Sequence, residues 1–340
     1  MAIPEFLGGT PRGGLPWAAD RPASRRDPLP GSRAAAACGL VLALACAAPA
    51  GAEVRVRWLG VAGFTLSAGE TTLAHDPYLS RPGWLRTLFR RYVPDEAVLG
   101  RFAGADSPVP ELAHASLYLV GHSHYDHLGD VPWLALRSGG RVVGSATTVS
   151  IARAYGLPEE RALIASPGAV LEEGAFEVRV FKSQHAKVFF GRVPLEGELT
   201  DPPAAPLHAF SFVLGAARGY LVTERASGLR IVLLSSANRD LSELEVEGMT
   251  AAPVDLLLAA ASGRDSDYAR DLVRTLRPRL VVPHHFDDFS IPIDDPAAGA
   301  PQDEADLAAF EEELRAAAAA EGLTLDVRRP VLLEALTIRR

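Results

Sequence analysis

His122-Ser123-His124-Tyr125-Asp126-His127 lies between the apolar run Leu117-Tyr118-Leu119-Val120 and Leu128-Gly129-Asp130. Within six residues it offers three imidazoles and a carboxylate, the groups from which Zn2+, Fe and Mn sites are built. Alternation after an apolar strand throws His122 and His124 to one side, while Asp126 and His127 fall where the chain turns toward a helix. One metal can take the histidine pair and a neighbouring one Asp126 and His127. A solvated polar loop would explain a lone pair of histidines. Imidazoles crowded this closely repel one another on protonation and stabilise nothing without a metal.

The chain has 340 residues, 48% hydrophobic and 22% charged, enough for one large core and ordinary for a globular enzyme. Residues 1 to 33 are rich in Pro, Gly and Arg, and Ala34 to Ala48 is an apolar run ending in Pro49-Ala50-Gly51-Ala52. This is a signal-peptide layout, too short for a comfortable membrane span, with cleavage expected near Ala52 and export to the periplasm or beyond. Ala43-Leu44-Ala45-Cys46 is a poor lipobox and offers lipid anchoring through Cys46 as the alternative. Both cysteines, Cys38 and Cys46, fall in this leader of residues 1–52, leaving no disulfide or thiolate ligand beyond it. The leader's five arginines and three acids give it +2; with −8 for the whole chain, residues 53–340 carry −10, which disfavours nucleic acid as a partner.

Alternating runs at 54–58, 64–66 and 71–74 read as an opening β-meander, with Asp76 at the turn before Pro77. Over 82–93, Trp84, Leu85, Leu88, Phe89 and Tyr92 share one helical face and Arg86, Arg90 and Arg91 lie off it. Such a helix packs on the core or makes peripheral contact with an anionic membrane. Helices are expected from Val131 and over 146–155, and strands over 141–144 and 175–183, the latter delivering Gln184-His185. Residues 194–206, rich in Pro, Glu and Asp, read as an insertion loop, and His208 after them as a non-ligand. Strands follow at 219–223, 230–234, 256–259 and 279–282, the last ending in Pro283-His284-His285. Helices are expected over 266–276 and 303–321, then two strands. Residues 53–340 read as a single domain of two pseudo-symmetric halves, about 53–215 and 216–340.

His122-x-His124-x-Asp126-His127 followed by Gly129-Asp130, together with Trp58-Leu59-Gly60 and Asp76-Pro77-Tyr78, resembles the metallo-β-lactamase fold superfamily. The branch it looks like includes ascorbate-phosphate lactonases and N-acyl-phosphatidylethanolamine phospholipase D, and the resemblance runs from about Glu53 to about Asp295. It implies an α/β fold, a four-layer αββα sandwich, and a hydrolase domain. It also implies Zn2+, one or two ions, with Fe or Mn as alternatives. His185 takes the place of the third histidine beside His122 and His124, and His285 that of the final ligand beside Asp126 and His127, with His284 as fallback. Asp76 and Asp130 are the carboxylates expected to support the ligands from behind.

The chain departs from the family after Leu233-Leu234, where a bridging aspartate is usual and Ser235-Ser236-Ala237-Asn238 stands instead. Ala237 cannot bind a metal. Asp240 could reach in, Asn238 could supply a carbonyl oxygen or hold a water, or one ion could be held firmly without a bridge; the last is expected. The reading is an exported metal-dependent hydrolase in which an activated water attacks an ester-type bond in a phosphodiester, phospholipid or lactone. Asp126 would accept the proton if the second ion is absent, and the substrate would be a small or lipid-like anion. The alternative is a degenerate metal- or ligand-binding module without catalysis, favoured by Ala237 and opposed by the completeness of the other ligands.

Overall fold

This computed structural model describes residues 53–340 except 189, 190, 239 and 247. The leader and both cysteines lie outside the described residues. In chain order the first strands are β1 (Glu53–Gly60), β2 (Gly63–Ala68), β3 (Thr71–His75), β4 (Leu117–Leu119), β5 (Arg141–Gly144) and β6 (Ala162–Ile164). They are followed by β7 (Val170–Glu173), β8 (Phe176–Lys182), β9 (Arg218–Glu224), β10 (Arg230–Leu234), β11 (Leu256–Ala260), β12 (Leu280–His284), β13 (Asp326–Val327) and β14 (Ala335–Arg339). The helices are α1 (Trp84–Phe89), α2 (Glu96–Phe102), α3 (Tyr125–Leu128), α4 (Val131–Ser138), α5 (Ala146–Ala154), α6 (Ser242–Val246), α7 (Tyr268–Leu276) and α8 (Glu304–Ala320). None among the described residues is long and apolar enough to cross a membrane.

Two seven-stranded sheets form, in the orders β14-β1-β2-β3-β4-β5-β6 and β13-β12-β11-β10-β9-β8-β7. Each has three antiparallel pairings along one side and three parallel pairings along the other. The sheets share one core: Val54, Phe64 and Leu66 of the first pack in the same apolar cluster as Val178, Val222 and Ile231 of the second. Helices α4 and α5 cover the first sheet, and α7 and α8 add Leu272, Phe310 and Leu314 from the second sheet's side. The result is the αββα sandwich. β1 alternates exposed and buried residues, as a half-covered strand must, whereas β11 and β12 are buried throughout because parallel interior strands are covered on both faces.

The structure redraws two expectations. The change of sheet falls between Ile164 and Val170, so β7, and β8 within the strand expected over 175–183, belong to the second sheet although they lie in the stretch 53–215 drawn as the first half. The helix expected over 82–93 is only the six residues of α1. At Arg91 the chain turns extended to bridge His208, and Tyr92 N donates to Leu207 O at 2.6 Å. Pro94 also disfavours helical geometry at Val93. Tyr92 is buried on its own account, and its hydroxyl donates to Asp130 Oδ1 at 2.7 Å.

The sheets are tied at the site end by a fully buried ion pair. Arg81 Nη2 donates to Asp287 Oδ2 at 2.7 Å, and Asp287 Oδ1 accepts Val61 N at 2.9 Å. Gly60, at φ +87°, makes room for this pair: a Cβ there would lie 1.5 Å from Arg81 Nη2. Breaking a buried pair strands its partner charge, so Asp287→Ala should destabilise the fold by about 3–5 kcal/mol in urea unfolding. A loss below about 1 kcal/mol, the size typical of exposed pairs, would show that the tie is dispensable.

Candidate metal centre

Every residue of the cluster sits at, or just beyond, the carboxyl end of a strand, the edge where open α/β sheets place their ligands. His122 and His124 follow β4, Asp126 and His127 open α3, His185 follows β8 and His285 follows β12. The side chains form two groups, His122/His124/His185 and Asp126/His127/His285, each with one ligand atom per residue within 4.8 Å of the others. Ring centroids of His122 lie 4.6 Å from His124, 4.8 Å from His185 and 3.8 Å from His127. Asp126 Oδ2 lies 3.4 Å from His127 Nε2 and 3.6 Å from His285 Nε2.

Nε2 of His122 and Nε2 of His124 are buried with no hydrogen-bond partner among the described residues. Buried ring nitrogens left bare are costly, and a metal ion satisfies them. The donor set therefore fits a divalent transition metal. Burial pushes the His122 imidazole well below its usual pKa, and the nearby His127 and His124 rings add to this. Burial likewise takes His124 to about 3 against the pull of Asp126, and lowers His185. His127 goes the other way: burial opposes the shift, but the Asp126 and Asp76 carboxylates raise it. Asp126 stays ionised because the His127 and His285 imidazoles outweigh its burial.

Asp76 supports the cluster from behind. Its Oδ2 lies 2.8 Å from His127 Nδ1, and its Oδ1 accepts Gly121 N at 2.8 Å, which fixes the residue just before His122. Asp76 has φ +40° and His285 φ +57°, left-handed values unusual outside glycine and concentrated here at the site. Gly121 has no room for a side chain, since a Cβ would lie 1.7 Å from Ser235 Oγ.

Several expected residues are placed elsewhere. Asp130 touches no ligand histidine; its buried carboxylate accepts Leu79 N, Ser80 N, Ser80 Oγ and Tyr92 Oη, shaping the loop after β3. Asn238 bonds its neighbour, its Nδ2 donating to Asp240 O at 3.1 Å and its Oδ1 accepting Asp240 N at 3.0 Å, and it belongs to neither ligand group. The exposed Asp240 carboxylate binds Ser242 and Gln184 Nε2 and does not reach in. Ala237 packs against the apolar core. His284 lies in the core edge-on to Phe64, outside both ligand groups. His208, read as a non-ligand, meets the Leu88 carbonyl.

Sequence reasoning passed over His75, Ser235 and Ser236. His75 bonds Ser235 Oγ at 3.0 Å and Leu119 O at 3.1 Å, and Ser236 Oγ accepts Ala186 N at 2.9 Å. Two serines in the turn that lacks the carboxylate were the available signal. A cavity of about 550 Å³ opens over the cluster, touching His124, Asp126, His185 and His285, with Leu195, Phe210 and Phe289 as apolar wall.

Asp76→Asn should weaken metal binding by roughly 10–100-fold in a chelator competition while the fold persists; unchanged affinity would remove Asp76 from the account. For metal-free protein, depressed histidines refuse protons that the unfolded chain accepts below about pH 6.5. Stability should therefore fall as pH drops from there toward 3, with the raised His127 opposing in part. A thermal midpoint flat across that window would contradict the burial of these rings.

The profile of the β-lactamase superfamily domain matches residues 55–285, from β1 through His285, and so takes in all six clustered residues. A UPF0173 metal-dependent hydrolase of Anaeromyxobacter dehalogenans (strain 2CP-1) is 27% identical over 249 residues, 70% of this chain and 76% of its own length. Another, from Pyrobaculum islandicum, is 23% identical over 72% of this chain and 88% of its own. Among solved structures, the metallo hydrolase Igni18 of Ignicoccus hospitalis superposes with TM-score 0.53 at 16% identity, covering 85% of this chain and 99% of that one. CmlA, a diiron beta-hydroxylase of Streptomyces venezuelae, gives 0.54 at 17% identity, covering 86% and 55%. These structural likenesses show the fold, and the profile shows the family: the chain belongs to the β-lactamase superfamily, as a metal-dependent hydrolase of the metallo-β-lactamase fold.

Proposed function

We propose that this metal-dependent hydrolase cleaves an ester-type bond, a phosphodiester or lactone, in a small anionic substrate bound in the cavity over the cluster. The observation that carries the reading is the convergence of two three-residue ligand groups on one cavity floor, with the Nε2 atoms of His122 and His124 buried and unpartnered. His122, His124 and His185 would hold one ion, and Asp126, His127 and His285 would hold or help to hold a second. Five imidazoles and one carboxylate suit Zn2+, and Fe or Mn can use the same donors. A bound ion would supply Lewis acidity, lowering the pKa of water toward ~7 and polarising the carbonyl or phosphoryl group whose carbon or phosphorus is attacked.

The chain's own residues supply the rest. Asp126, held ionised and lining the cavity, is positioned to take a proton from an attacking water at its carboxylate. Ser236 Oγ accepts Ala186 N, which leaves its hydroxyl hydrogen free to be given to a substrate oxygen. The apolar wall excludes water from the reacting bond. With Ala237 packed against the core and Asp240 turned outward, this turn brings no carboxylate among the described residues to neutralise a second cation. One ion would therefore be held firmly and the second weakly.

The test is hydrolysis of a chromogenic phosphodiester and a chromogenic lactone by the metal-loaded protein and by Asp126→Ala. Turnover on one of them, falling roughly 10²–10⁴-fold in the variant, is expected for a residue that moves a proton. Turnover on neither, or a variant as fast as the parent, would overturn the assignment. A non-catalytic binder would show at most a change in affinity.

A further inference from the structure

Helix α1 turns its apolar side outward. Trp84, Leu85 and Phe89 are 61%, 57% and 74% exposed, and Thr87 is the only fully buried residue of the helix. Large exposed apolar side chains gathered in one place mark a contact surface. Arg86, Arg90 and Arg91 stand among them, all exposed. Arg86 reaches Asp95 only at 3.9 Å, Arg91 Nη1 donates to Pro206 O, and Arg90 makes no ion pair among the described residues. Three such arginines on a surface that is acidic overall form a local field of the opposite sign.

The patch runs to the mouth of the cavity. His208 Nε2 meets the Leu88 carbonyl at 2.7 Å, and its ring lies 5.2 Å from that of Phe210. Phe210 is 48% exposed and forms part of the cavity wall. The exposed side chains of α1 are thus joined to the cavity wall through the Leu88–His208–Phe210 contacts.

We propose that this surface docks on an anionic lipid bilayer, with Trp84, Leu85, Phe89 and Phe210 entering the headgroup layer and the arginines facing lipid phosphates, so that the cavity opens toward the membrane. Aromatic side chains beside basic ones are the composition that interfacial elements use, and the arginines complement anionic headgroups. A second copy is a poor occupant, because apposing two such faces would set their arginines against each other. Docking of this surface requires no turnover, so vesicle binding can fail or hold independently of the bond that is cleaved.

The test is cosedimentation of the full chain with vesicles of phosphatidylcholine, and of phosphatidylcholine mixed with phosphatidylglycerol, at low and high salt. Binding to the mixed vesicles, weakened by salt, is expected, with little on the neutral ones. Arg86→Glu/Arg90→Glu should lower partitioning by at least roughly fivefold per arginine. Trp84→Ala/Phe89→Ala should lower it as well, and both variants should hydrolyse a soluble chromogen like the parent. No binding by the parent, equal binding to both vesicle types, or variants that sediment like the parent would each overturn the proposal. So would a dimer in solution that Trp84→Ala/Phe89→Ala dissociates while vesicles bind nothing.

Discussion

The carboxylate of Asp76 is the constraint on which the site depends. One oxygen fixes the main chain at Gly121 and the other fixes the ring of His127, so a single fully buried group sets where the ligand loop begins and how its last histidine is turned. It can do this only because the chain passes through Asp76 in a left-handed conformation at the end of β3 and because Gly121 has no side chain. The imidazoles of His75 and His127 keep the carboxylate ionised against its burial. Around this point a strand end, a glycine and a turn of helix become one rigid unit.

The second sheet is brought to that unit by a different interaction. Asp287, two residues past His285, is locked to Arg81 and to the main chain at Val61, while His285 N donates to Val61 O at 2.9 Å. His285 therefore faces the ligands of the first sheet from a position that the core alone would not define. The left-handed backbone at His285 is held in place by these bonds. Where the turn after β10 might have bridged two ions, the structure has serines bonded to His75 and Ala186 and an alanine packed against the core. That turn leaves the charge of the centre to Asp126.

What was legible in the sequence was what is local in it. The motif from His122 to His127 lies within six residues, and the strong alternation or long apolar runs of β1, β8, β10 and β11 announce themselves. His185 and His285 were found by the resemblance and by their places at strand ends, because a single histidine carries no period. The three-residue strand β6 and the four-residue β7 were too short to show a pattern, and with them went the point where the sheets change. The Arg81–Asp287 pair spans 206 residues and left no local trace. α1 had the periodicity of a buried helix, yet the pull of His208 on Arg91 and the proline at 94 cut it short and left its apolar face outside. Asn238 and Asp240 were plausible by position, but within a tight turn their side chains satisfied the backbone first.

The most direct test of the account is the metal content per chain of the purified protein, measured by elemental analysis after exhaustive dialysis. Six converging ligands, with the buried Nε2 atoms of His122 and His124 bare and no bridging carboxylate among the described residues, predict one divalent transition metal ion retained per chain, with a second lost on dialysis. A protein that binds no ion, even after reconstitution with zinc, iron or manganese, would contradict it.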